Sequence, residues 1–204
     1  MSDKAQNKRT YTIPVLYIVI VLMMTLIIVV YSKYLLTKQT HTTDLGKQLS
    51  EQYSYALIYA DRLHDGADLL LSAKTESKRL QAAQWLGEAH LASGETVGLF
   101  VEAASLTTGQ SREEASKPLF VAMNAVMGQE GPIASIGDID GPLTDDQKAK
   151  LTIIRDAAAQ MQEALNRFRP PSGEAGFRQM ITIADWVPNA VEASKSLERL
   201  AGNL

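Results

Sequence analysis

The reading turns on TYTIPVLYIVIVLMMTLIIVVYS, residues 10–32, an uncharged run held between Arg9 and Lys33. About 23 residues at about 1.5 Å of rise each reach about 34 Å, enough to cross a hydrocarbon core of about 30 Å. Tyr11 stands at one end, with Tyr31 and Tyr34 at the other, where amphipathic rings favour the headgroup level. Pro14 falls where a first helical turn would lack a bond in any case. A buried core helix would have to hide apolar side chains all round, and the rest of the chain has few aromatics to wrap it. A cleaved signal peptide fits the positive residues Lys4, Lys8 and Arg9, but the apolar run is too long and no small-x-small site follows Val30-Tyr31-Ser32. The stretch therefore predicts an uncleaved signal anchor: a tail over residues 1–9, a transmembrane helix over 10–34 and a short Thr-rich stalk over 35–43.

Orientation follows less directly. Lys4, Lys8 and Arg9 precede the span, while Lys33, Lys38 and Lys47 lie just beyond it, which is close to a tie. The short tail, its charges tight against the span, and the ease with which long domains translocate favour the N-terminus inside and the body outside.

Outward from the anchor, residues 44–204 are one domain's worth of chain, enough for a hydrophobic core. The chain of 204 residues has a formal net charge of -3 with both signs interspersed, so no basic face points to nucleic acid. It has no cysteine, which excludes disulfides, thiolate metal sites and a cysteine nucleophile.

The expected fold is all-α: an extended antiparallel bundle of about four to five helices, with coiled-coil-like seams, following the single membrane helix. Leu49, Tyr53, Ala56, Ala60, Leu63, Ala67 and Leu70 recur in alternating steps of four and three, an a/d seam. Thr75 is a candidate cap for a helix from about 76 to 106, with a seam at Ala83, Leu86, His90, Ser93, Val97, Phe100 and Ala104 and a weak point at Gly94. Residues 107–117 read as a loop with a capped turn at Ser111 and Glu114, after which Pro118 opens a short apolar helix ending at Gly128. Residues 130–143, with three Gly and two Pro, read as irregular. Thr144 and Gln147 form a capping box for a helix reaching Phe168, its seam at Leu151, Ile154, Ala158, Met161, Leu165 and Phe168. A last helix spans about 177–201, where Pro188 either kinks it or splits it.

Chemistry is scarce. No nucleophile elbow, Ser-x-x-Lys, His-Glu-x-x-His or phosphate-cradling Gly loop occurs, and there are three histidines, so an enzyme is not expected. No catalytic residue, cofactor or metal ligand is assigned. Asp61, His64, Asp65 and Asp68 share one helix face at i, i+3, i+4 and i+7, a pattern able to hold a metal or ligand, though a solvated acidic stripe is the plainer reading. His90 and Ser93, placed in the second seam, either fix helix register or line a ligand cavity. Asp138-Ile139-Asp140-Gly141 has the look of a calcium loop, but Pro142 replaces a needed oxygen ligand, so a turn is expected. Trp85 and Trp186 suit either a core or an interface.

SEQYSYALIYADRLHDGADLLL (50–71), QWLGEAHLASGETV (84–97) and IGDIDGPLTDDQKAKLTIIRDAAAQMQEALNRF (136–168), behind a basic tail and one anchor, resemble the N-terminal helical region of YpeB-type spore germination proteins. The resemblance covers residues 4–168, and that family's PepSY-type repeats are absent from these 204 residues. It implies a non-enzymatic, membrane-anchored partner protein in the envelope of a spore-forming Gram-positive cell. The expected partners are the bilayer, through residues 10–34, and an envelope protein or a second copy of the chain. The alternatives are an extracytoplasmic ligand-sensing bundle working with a membrane partner, and a cytoplasm-facing scaffold.

Overall fold

Helix formers with recurring apolar positions dominate the chain, and every regular element among the described residues is a helix. The computed structural model describes the backbone of residues 6–136 and 142–204 and the side chains of 13–134 and 142–204. The helices are α1 (Gln6–Ser72), α2 (Glu76–Thr108), α3 (Arg112–Met127), α4 (Pro132–Ile136), α5 (Asp145–Leu165), α6 (Glu174–Thr182) and α7 (Val187–Gly202). The chain divides into two units, Met1–Asp44 and Leu45–Leu204.

In the first unit every described side chain up to His41 is exposed, and the large apolar ones between Ile13 and Leu36 are 41% to 67% exposed. Within this unit lies the one helical stretch among the described residues that is long and apolar enough to cross a membrane. Thr25, the single hydroxyl between Ile18 and Val30, donates to the Val21 carbonyl at 2.8 Å and so needs no solvent partner. Pro14 lies inside α1, not in a first turn, because helix is already formed from Gln6. The missing proline N–H leaves the carbonyl four residues back without its usual helical partner. The Thr-rich stretch 35–43 is also helical, with Thr40, Thr42 and Thr43 each donating to the carbonyl four residues back.

The second unit is built on the seam of α1. All seven seam residues from Leu49 to Leu70 are buried. As α1 advances, its partners on α2 and on α5 recede: Arg62 meets Glu88 and Gly66 meets Leu86 on one side, while Asp61 meets Gln162 and Asp68 meets Arg155 on the other. A Cβ at Gly66 would sit 2.8 Å from the Leu86 side chain, so the glycine admits Leu86 against the helix and offsets its own propensity cost of about 1 kcal/mol. Gly46 is tighter still: a Cβ there would run into the Phe177 carbonyl of α6. Side chains of α2, α3, α5 and α7, with Met180 of α6, complete the core around Tyr53, Tyr59, Phe100 and Trp186.

Several sequence expectations change in detail. The helix expected to weaken at Gly94 runs unbroken from its Thr75 cap to the left-handed Gly109. Its buried face is Ala82, Leu86, Ala89, Ala92, Thr96, Val97, Leu99, Phe100, Val101 and Ala103, so the contact is turned by about one residue from the predicted frame. Ala83 and His90 are exposed and Ser93 is half-buried. The reason is size: the close approach is made by alanines, which sequence periodicity cannot tell from surface alanines. Pro118 does not open α3, because the Ser111–Glu114 capping box starts the helix at Arg112 and leaves the proline inside it. α5 stops at Leu165, three residues early, and Phe168 turns back so that its ring meets Tyr53 edge-on at 5.0 Å. Residues 132–136 are helical where an irregular stretch was expected. The last segment is two helices, with Ala184 between them in the left-handed region at φ 58° and Pro188 in the first turn of α7. The aspartate pair 138 and 140 lies outside the described residues.

Candidate functional site

Apolar positions off the seam define the site. On α1, Tyr55 and Ile58 point away from the core, 45% and 43% exposed, and on α2 Leu91 is 81% exposed. Because the two helices run past each other in opposite senses, these side chains come to line one groove of about 780 Å³, together with Asp61, Arg62, Asp65, Glu88, Ala92 and Glu95. Four carboxylates thus meet one guanidinium.

Arg62 is committed. Its Nε lies 2.7 Å from Glu88 Oε2, and its guanidinium carbon sits 5.7 Å from the centroid of the Trp85 ring. Both groups of the pair are about one-third exposed, so the bridge contributes only about 0.5 kcal/mol, and its main effect is to hold Arg62 flat along the groove wall. Stacking on the ring contributes a similar amount. At the other end Gln52 Nε2 donates to Glu95 Oε2 at 3.4 Å, a long bond that leaves the carboxylate charge uncompensated. Asp61 accepts from Gln162 Nε2 at 2.6 Å, and this ties the groove wall to α5.

The other residues singled out by sequence separate rather than converge. His64 Nδ1 lies 3.0 Å from Oδ1 of its neighbour Asp65, while Asp68 turns to α5, where Arg155 Nη1 is 3.6 Å away. Arg155 is held chiefly by Asp156, whose hydrogen bond and charge push the guanidinium pKa up, with Asp68 adding a smaller share. Among the described residues no three His, Asp or Glu side chains stand together as a metal set. His90 faces solvent, and Ser93 closes on its own helix, donating to the His90 carbonyl at 2.7 Å. Trp186 is a core residue, fully buried with Nε1 donating to the Met180 carbonyl at 2.8 Å. Trp85 is a half-buried surface ring beneath Arg62.

Tyr55, Ile58, Leu91 and Glu95 were absent from the sequence reading. The available signal was position: Tyr55, Ile58 and Leu91 are apolar residues off the seam on two successive helices, at numbers that pair once the helices are antiparallel.

No family model, curated protein or solved structure matches the chain.

Proposed function

We propose that this is a single-pass membrane protein whose helical domain works by binding another protein, without catalysis of its own. The exposure of every described side chain from Ile13 to His41 carries the reading. Exposing that many large apolar side chains to water costs about 1.5–3 kcal/mol each, and a bilayer removes the cost over residues 10–34. The domain is an antiparallel bundle, supported by the opposite running of α2 and α5 along α1. Its groove, with Tyr55, Ile58 and Leu91 exposed, supports binding of a macromolecule.

The topology is N-terminus inside and bundle outside. A role in the envelope, in sporulation or germination, rests on the YpeB-type resemblance alone. The ligand-sensing alternative drew on a buried His90, and that support is gone with His90 at the surface. The cytoplasm-facing scaffold keeps the near-balance of Lys4, Lys8 and Arg9 against Lys33, Lys38 and Lys47 in its favour.

The test is protease treatment of intact protoplasts carrying the full chain with an N-terminal tag. Digestion of the bundle with the tag protected is the expected result. Survival of the bundle until the membrane is broken would move the search for its partner to the cytoplasm, and release of the whole chain by carbonate washing would remove the anchor.

A further inference from the structure

We infer that the α1–α2 groove receives a cationic amphipathic helix of the partner protein, an inference that rests on the protein-binding reading above. The groove offers two things together, an apolar strip and an excess of negative charge. Tyr55, Ile58 and Leu91 form the strip, all more than 40% exposed. Asp61, Asp65, Glu88 and Glu95 stand along its sides against Arg62 alone. Arg62 is paired with Glu88 and stacked near Trp85, so it is not free to neutralise the rest.

The dimensions match a helix. From Tyr55 to Asp65 α1 covers about 15 Å, the length of about ten helical residues or nearly three turns. A segment with apolar residues at i, i+3 or i+4, and i+7 would set one stripe on Tyr55, Ile58 and Leu91. Lys or Arg beside that stripe would reach the carboxylates on both walls. Arginine suits Asp65 and Glu95 best, because its planar fork takes a carboxylate with two hydrogen bonds. An acidic helix would be repelled by three uncompensated charges, and a neutral apolar one would leave those carboxylates desolvated without partners.

The exposed apolar pair of α3, Phe120 and Val121, has Lys117 as the one cation within a turn of it, so this face of a second copy carries too little charge for the groove.

The test is photocrosslinking of the full chain in the cells that make it, with p-benzoylphenylalanine in place of Ile58, Leu91 or Val121 in turn. All three side chains are exposed, so the substitutions do not disturb the core. The expected result is a crosslink from positions 58 and 91, mapped to a helical segment carrying Lys or Arg on both sides of an apolar stripe. Asp65→Lys combined with Glu95→Lys should cut its yield at least tenfold while the helical circular dichroism of the purified chain stays unchanged. Crosslinks from 58 and 91 to lipid, to a second copy, or to a segment without such cations would overturn the inference. Crosslinks from 121 alone would also overturn it but leave the protein-binding reading standing. If none of the three positions captures a protein, both fall together.

Discussion

Residues 13–36 and 49–70 lie on the same helix, the first rich in Ile, Val, Leu and Met and the second in Leu, Ala and Tyr, and they answer different physical demands. In the first stretch apolar residues cover the whole circumference and every one is exposed. In the second they are confined to a stripe of period about 3.5, and Leu49, Tyr53, Ala56, Ala60, Leu63, Ala67 and Leu70 are all buried. What separates the two is the amount of hydrophobicity as well as its angular distribution: residues 13–32 carry no charge, whereas 49–70 interleave Glu51, Asp61, Arg62, Asp65 and Asp68 with the apolar positions. A stripe is satisfied by neighbouring helices, whereas the full girdle stays exposed in the chain itself and on the proposed reading is met by a bilayer.

The largest effect should come from charge in the girdle. Leu22→Arg together with Leu26→Arg places two guanidinium groups near the middle of the span, at about 2.5–3.5 kcal/mol each on an insertion scale. The carbonate-resistant membrane fraction of the chain should fall to background. The same pair of arginines at Leu80 and Leu91, at least as exposed but on α2, should leave membrane recovery unchanged. Equal losses from both pairs would erase the distinction.

Next in size is a hole in the stripe. Leu63 is fully buried, so Leu63→Ala should cost about 3 kcal/mol, read as a lowered urea midpoint of the helical domain. Leu26→Ala, in the girdle, should not move that midpoint at all.

The same contrast explains what the sequence made legible. A girdle of Ile, Val, Leu and Met with no charge declares itself, as does a stripe of large residues closed by a capping box, the case of α5 from Thr144. α2 was read one residue out of phase because its contact face is largely alanine, and Ala82, Ala89 and Ala92 carry no more periodic signal than the exposed Ala83. That phase error is what placed His90 in the core. The break at Ala184 and the return of Phe168 onto Tyr53 depend on partners far along the chain, beyond the reach of local propensity. The groove depends on pairing α1 with α2, so it becomes visible only when both helices are in place.

On the buried face of α1, two tyrosines, Tyr53 of the stripe and Tyr59 beside it, provide a finer comparison. Tyr53 donates to the Leu165 carbonyl at 2.7 Å, whereas the Tyr59 hydroxyl has no hydrogen-bond partner among the described residues. Burial pushes both phenol pKa values up, so both stay neutral throughout the physiological range. Tyr53→Phe removes this bond but leaves the Leu165 carbonyl its second donor, the Phe168 N–H at 3.2 Å, so it should cost about 0.5–1.5 kcal/mol. Tyr59→Phe removes a desolvated hydroxyl and should be neutral or stabilising, which the paired urea midpoints would show directly. A loss of equal size at Tyr59 would mean that its hydroxyl finds a partner in solution.

The smallest effect concerns a position where neither demand operates. Gly87 lies exposed in the middle of α2, and a Cβ added there would meet nothing within 4 Å. Alanine keeps the helical backbone, restricts the unfolded chain and meets no obstacle, so Gly87→Ala should stabilise the domain by about 0.5–1 kcal/mol. Gly46→Ala, by contrast, drives a methyl into the Phe177 carbonyl and should destabilise it. The pair thus separates a glycine required by packing from one that packing within the chain does not explain. If Gly87→Ala raises the urea midpoint of the purified chain yet weakens capture from position 91, the glycine is kept for the partner's close approach one turn from Leu91. If it lowers the midpoint instead, α2 is packed at that point by something other than the helices of its own chain.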